Sequence, residues 1–157
     1  PLARKGRPAP ASAVRTVPLT GDWQQVAGFN ANGIALSPDR RSLLVVQSAT
    51  GLLFRIDPRT GHAKRVELGG ALLTNGDGLL VEGRTLYAVQ NQLNQVAVVR
   101  LDRAGRSGRL LTNLTDPRFD IPTTIASYGK HLYLPNARFT TPPTPDTPYT
   151  AVRIKSP

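Results

Sequence analysis

A unit of about 43 residues recurs along the chain, and nothing else in the sequence constrains the fold as strongly. Asn32-Gly33-Ile34-Ala35-Leu36 opens one copy, and Asn75-Gly76-Asp77-Gly78-Leu79 opens the next, 43 positions on. The same offset carries Leu43-Leu44-Val45-Val46-Gln47 onto Leu86-Tyr87-Ala88-Val89-Gln90. Phe54-Arg55-Ile56-Asp57 then falls on Val99-Arg100-Leu101-Asp102 at an offset of 45. A third copy runs from Pro122-Thr123-Thr124-Ile125 through Leu132-Tyr133-Leu134 to Val152-Arg153-Ile154. A Pro-rich insert from Thr140 to Pro148 stretches it.

Each copy alternates short runs of Val, Leu, Ile and Tyr with turns such as Ser37-Pro38-Asp39-Arg40-Arg41, Glu82-Gly83-Arg84 and Asp102-Arg103-Ala104-Gly105. Such runs, bounded by Gly, Pro, Asn and Asp, read as strands. Four strands in about 43 residues predict an all-β chain of β-propeller blades. A four-stranded blade cannot bury both faces alone, so blades stack. We expect about three blades near 33–68, 76–115 and 122–155, with twelve to thirteen short antiparallel strands. Residues 1–13 are expected to be an irregular, basic, Pro-rich segment. Val14–Leu19 is expected to be the outer strand of a preceding blade. Three blades are too few to close a ring, so either further blades lie upstream or two copies close one together. The sequence also has no Met, even at position 1, which leads us to expect a piece of a longer protein.

Composition removes several function classes. The 157 residues contain no Cys, which excludes disulfide scaffolds, thiol catalysis and iron–sulfur clusters. No apolar run approaches the roughly 18 residues of a membrane span, and no signal peptide is visible in this chain. The net charge is +10. Apart from a loose group at Arg4, Lys5, Arg7 and Arg15, the cations recur singly, so no specific nucleic-acid partner is expected.

The copies resemble the family of senescence marker protein, gluconolactonase and luciferin-regenerating enzyme, whose members are six-bladed propellers. The resemblance rests on Asn32-Gly33-Ile34-Ala35-Leu36-Ser37-Pro38-Asp39 and on Asp77-Gly78-Leu79-Leu80-Val81-Glu82-Gly83-Arg84-Thr85-Leu86-Tyr87, the latter two residues shorter than the family pattern. It covers about residues 14–157 and corresponds to the C-terminal half of such a propeller. The stretches Phe29–Gly33, Leu73–Gly78 and Pro122–Thr124 are similar to a secreted bacterial branch of the group, which implies a secreted or cell-envelope location. Some sequences of that branch carry a superoxide dismutase label. Redox metals want several His or Cys ligands, and this chain offers only His62 and His131.

The resemblance implies a divalent-metal-dependent hydrolase acting on a small-molecule lactone or similar ester. The metal, expected to be Ca²⁺, would sit at the central tunnel among oxygen ligands. Asn32 and Asp77 then take the places of an Asn ligand and of an Asp ligand or base. A further carboxylate ligand comes, in the family, from a first blade that these residues do not include. Asn-Gly and Gly-Asp-Gly are also ordinary turn sequences, and a non-catalytic propeller that binds a ligand or partner is the alternative.

Blade geometry sorts further residues. Asn32, Asn75 and Asp77, at the entries of innermost strands, share one face with Gln47, Gln90 and Asn136, which follow each second strand. Asn91, Asn94 and Arg138 lie nearby. Asp39, Asp57, Glu82, Asp102 and His62 belong to the opposite face. Gln47, Gln90, Asn91 and Asn136 are candidates for hydrogen-bonding a sugar-sized substrate; alternatively, the repeated amides satisfy loop backbone at the blade tips. Arg138 would bind a substrate carboxylate or stay solvated. The insert would roof the pocket, because Pro limits its freedom, or remain an exposed loop. Asp57 and Asp102 are expected to cap turns, and Arg55, Arg100 and Arg153 to decorate strand faces.

Overall fold

The computed structural model describes residue 6 and residues 8–157. The sequence readings that fall on residues 1–5 and 7, including the basic group Arg4, Lys5 and Arg7, lie outside the described residues. The described chain is all-β: twelve strands in three sheets, with two single 3-10 turns at Ala11–Ala13 and Asn91–Leu93. No helix among the described residues is long and apolar enough to cross a membrane.

The first sheet contains β1 (Thr20–Gly21), β2 (Ala31–Leu36), β3 (Leu43–Gln47), β4 (Leu52–Ile56) and β5 (His62–Arg65). The second is the meander β6 (Gly76–Glu82), β7 (Thr85–Gln90), β8 (Gln95–Leu101) and β9 (Gly108–Thr115). The third has β10 (Ala126–Tyr128), β11 (His131–Pro135) and β12 (Ala151–Lys155). Within each sheet, strands numbered consecutively from β2 pair antiparallel.

The middle strands of the first two blades are largely buried on both faces, so their side chains sort by period two. Leu44, Val46 and Leu53 face the second sheet and pack with Leu86, Ala88, Ala97, Val99 and Leu101. The intervening residues Tyr87, Val89, Val96 and Val98 face the third sheet and pack with Leu132, Leu134 and Val152. This stacking of sheet on sheet through apolar layers is the β-propeller arrangement.

Two expectations are corrected. Val14–Leu19 forms no strand; the next two residues, Thr20 and Gly21, pair parallel with His62 and Ala63 on the outer edge of the first blade itself. Pro18 has no N–H to give a ladder. Leu19 and Trp23 instead lie over the outer face of Val45, Phe54 and Ile56, with the Trp23 and Phe54 rings edge to face at 4.9 Å. Arg55 does more than decorate a strand: its Nε donates to the Ala104 carbonyl at 2.8 Å and its guanidinium meets Asp39 at 3.3 Å. It thereby joins the turns of two blades. Asp57 and Asp102 cap their turns, accepting from Arg59 N at 2.8 Å and from Ala104 and Arg106 N at 3.0 and 2.8 Å.

These turns share one end of the blades and carry exposed Arg40, Arg41, Arg59, Arg84, Arg103, Arg106 and Lys130. The cations are thus more concentrated than their spacing suggested, because every second turn of a meander returns to the same end.

After β9, Asp116 holds Arg118 through two bonds of 2.8 Å, and Arg118 also donates to the Arg153 carbonyl on β12. The Arg118 side chain and backbone N–H lower the Asp116 pKa to about 2 from 3.8. A depressed carboxylate pKa adds stability that is fully present above the unfolded value and lost as pH falls through the folded one. Asp116→Asn should therefore flatten the acid limb of stability between about pH 4 and 2, the window set by those two values. Acid unfolding followed by circular dichroism checks this. The effect should be small and salt-sensitive, because Arg118 is largely exposed.

Candidate functional site

Strand pairing fixes which residues of the copies correspond. Ala31 faces Gln47, Gly76 faces Gln90, and Pro122 bridges to Asn136. The residues that follow, Asn32 and Asp77, therefore occupy one register position on two successive innermost strands, and Thr123 takes the equivalent position in the segment before β10. The innermost strands correspond at an offset of 45, although the second strands correspond at 43. The cause is the first hairpin. Leu36 pairs with Leu43 across six residues, whereas Val81 pairs with Leu86 across four. Asn32 matches Asp77, not Asn75. Both lie inside their strands, at a bulge between Ala31 and Ile34 and between Gly76 and Leu79. A bulge re-aims a side chain.

Adjacent innermost strands converge closely. A Cβ on Gly33 would stand 1.8 Å from the Asp77 carbonyl oxygen, and one on Gly78 would stand 2.5 Å from Thr124 Cα. Glycine alone permits this approach. Gly78 N–H donates to the Thr123 carbonyl at 2.9 Å.

Asn32, Asp77 and Asn91 line one cavity of about 380 Å³ with Phe29, Ala31, Ser48, Asn75, Gln92 and Phe139. Asn91 Nδ2 donates to Asp77 Oδ2 at 2.9 Å. Asn32 Nδ2 donates to Ser48 Oγ at 3.0 Å, and Ser48 Oγ donates to the Gly76 carbonyl. Asp77 is half-buried. Burial pushes its carboxyl pKa up, and the Asn91 and Asn32 amides pull it partly back down. Ser48 was missed by sequence reasoning, although it follows Gln47 as Asn91 follows Gln90. Phe29 and Phe139 were missed as site residues because loops carry no periodicity.

The other candidates are placed elsewhere. Gln47 is 1% exposed; its Nε2 donates to the Gln24 carbonyl and Asn30 Oδ1, and its Oε1 accepts from Thr50. Gln90 donates to the Thr74 carbonyl and accepts from Gln95. Asn136 donates to the Arg118 carbonyl and Thr150, and accepts from Asp120 N–H. All three are buried and tie a neighbouring loop to the tip of a blade. Arg138 pairs with Asp120 at 2.7 Å and donates to the Pro148 carbonyl at 2.9 Å. His62 is exposed on β5 and His131 lies on β11, and neither lines the cavity.

Gln47→Ala would remove the bonds to the Gln24 carbonyl, Asn30 Oδ1 and Thr50 Oγ1, although Asn30 keeps the Val26 N–H and Thr50 keeps the Leu52 N–H. Each lost hydrogen bond costs about 0.5–1.5 kcal/mol. An unfolding free energy lowered by about 1–3 kcal/mol, read from a lower denaturant midpoint with an unchanged m-value, is the expected result.

The donor set suits a hard divalent cation in kind, since it consists of one carboxylate with amide and hydroxyl oxygens. Among the described residues, no three His, Cys, Asp or Glu side chains come together. Asp77 and Asn32 would be the residues to hold such an ion.

No family model matches the chain, and no curated protein matches it. Solved structures do. One is a protein from Bacteroides uniformis ATCC 8492, provisionally assigned as a 6-phosphogluconolactonase. It is 22% identical over 87% of this chain and 42% of that one, with a TM-score of 0.55. Another is Kuenenia stuttgartiensis hydrazine synthase, 21% identical over 73% of this chain and 32% of that one, with a TM-score of 0.51. The chain thus spans a third to two fifths of the length of these structures. They share a fold with it, and their differing names illustrate that one fold hosts unrelated chemistries.

Proposed function

We propose that the chain forms part of a divalent-metal-dependent hydrolase of a lactone or similar ester, in a ring completed by further blades. The observation that carries the reading is the half-buried Asp77 carboxylate, which shares a cavity and a register position with Asn32 on the adjacent innermost strand. Asn32 and Asp77 are the protein ligands in this reading. A Ca²⁺ ion bound there would polarise the substrate carbonyl. The Asp77 carboxylate, inside the cavity and held by Asn91, would take a proton from an attacking water. Asn91 orients the carboxylate. The activity ascribed to the Bacteroides uniformis protein is of the same class. A secreted or cell-envelope location belongs to the same proposal.

A second reading is a non-catalytic propeller that binds a small ligand at this cavity. Asn32 and Asn91 already have protein partners there, and that self-sufficiency favours it. Lactone turnover by the intact protein and its Asp77→Asn variant separates the two. Turnover lost in the variant supports the hydrolase with Asp77 as its base, wild-type turnover in the variant overturns that role, and no turnover by the intact protein favours the binding reading.

A further inference from the structure

Two phenyl rings stand at the cavity that holds Asp77. Phe29 is 81% exposed and Phe139 is 65% exposed, and both line the same space as the carboxylate. We propose that this site selects an uncharged lactone or ester with an aromatic or alkyl face, gripped by Phe29 and Phe139. The inference rests on the hydrolase reading and specifies its substrate class.

Both rings sit on anchored backbone. The Phe29 carbonyl accepts from Ala49 N–H at 2.8 Å. The next residue, Asn30, bonds through its side chain to the backbone of Val26 and Gly28 and to Gln47. Phe139 immediately precedes the Pro-rich insert. Arg138 beside it pairs with Asp120 and reaches the carbonyl of Pro148 at the insert's far end, so one guanidinium clasps the loop. With the backbone anchored, only the two side-chain torsions of each ring are left to be ordered when a ligand arrives, which favours binding. Apolar walls with a few placed polar groups are the usual make-up of a small-molecule site, and about 380 Å³ lies within the usual range.

Charge argues in the same direction. Among the described residues, Asp77 is the one ionisable side chain lining the cavity. No lysine or arginine among the lining residues stands ready to hold a phosphate or carboxylate group of a substrate. Arg138, the nearest candidate by sequence position, is committed to Asp120 and Pro148. The exposed arginines of the turns lie at the opposite end of the blades.

The test uses the intact protein and three lactones: dihydrocoumarin, which carries a fused aromatic ring; glucono-δ-lactone, which is neutral and polyhydroxylated; and 6-phosphogluconolactone, which is anionic. Dihydrocoumarin should give the highest kcat/KM and the phosphorylated lactone the lowest. Phe29→Ser with Phe139→Ser should raise KM for dihydrocoumarin about tenfold or more with little change in kcat, as loss of aromatic contact predicts. Tyr128→Ser, at a remote exposed tyrosine, should change neither constant. Calorimetric binding of chroman, which has the same fused rings and no carbonyl, is measured alongside. If no lactone is hydrolysed but chroman binds and the double variant loses it, the hydrolase reading fails and the aromatic site stands. If 6-phosphogluconolactone is preferred, or the double variant alters neither KM nor chroman affinity, the proposal is overturned.

Discussion

Asp77→Asn should lower kcat for lactone hydrolysis by about 10²-fold or more, the scale on which a positioned general base acts, while leaving the protein folded. The substitution keeps shape and removes charge. An amide at this position still has an oxygen to accept from Asn91, so the 2.9 Å contact has a successor. The buried carboxylate also carries a desolvation penalty that the amide lacks. Stability should therefore be unchanged or slightly higher. This separates a chemical role from a structural one, because a structural carboxylate would show its loss first in the melting temperature. Asn32→Ala should act differently. It removes an oxygen ligand and the bond to Ser48, so it should weaken calcium binding more than it lowers kcat at saturating metal.

The propeller was legible because its grammar is repetitive. Leu44-Val45-Val46 and Tyr87-Ala88-Val89 announced strands buried on both faces, and the turn residues between them set the spacing. The correspondence within the site was harder to read. Asn32-Gly33 matches Asn75-Gly76 by letter, yet its register position is that of Asp77-Gly78, because the first hairpins of the two blades differ in length by two residues. Letter matching cannot see a register that hydrogen bonds decide. The roles of Gln47, Gln90 and Asn136 were open for a related reason. A repeated amide at a blade tip reads the same whether it faces a ligand or a loop, and only the loop positions distinguish them. Trp23 was unreadable as a cover for Phe54 because the segment before it has no period. Phe29 and Phe139, 110 positions apart in the sequence, meet at one cavity only through the stacking of blades.

Gly33→Ala should be among the most damaging single-methyl changes available in this fold. The added carbon would lie 1.8 Å from the Asp77 carbonyl oxygen and 2.9 Å from the Leu79 side chain. The carbonyl belongs to backbone in the neighbouring blade, so it cannot rotate away as a flexible side chain would. Relief requires the two innermost strands to separate, which loosens the apolar layer that holds Leu44, Val46 and Leu86 together. Overpacking of this kind costs roughly 1–3 kcal/mol and occasionally more, and backbone contact on the far side places Gly33 at or above the top of that range. Gly83→Asn is the control. Gly83 has a φ of +57° and nothing near its Cβ direction, a left-handed position that asparagine tolerates. It should cost well under about 1 kcal/mol, within the ordinary range for surface changes. Because Asp77 lies on the strand that Gly33 touches, the alanine variant should lose activity together with stability. Asp77→Asn should lose activity alone. Equal melting temperatures for Gly33→Ala and wild type would show that the innermost strands are not packed as closely as their register requires.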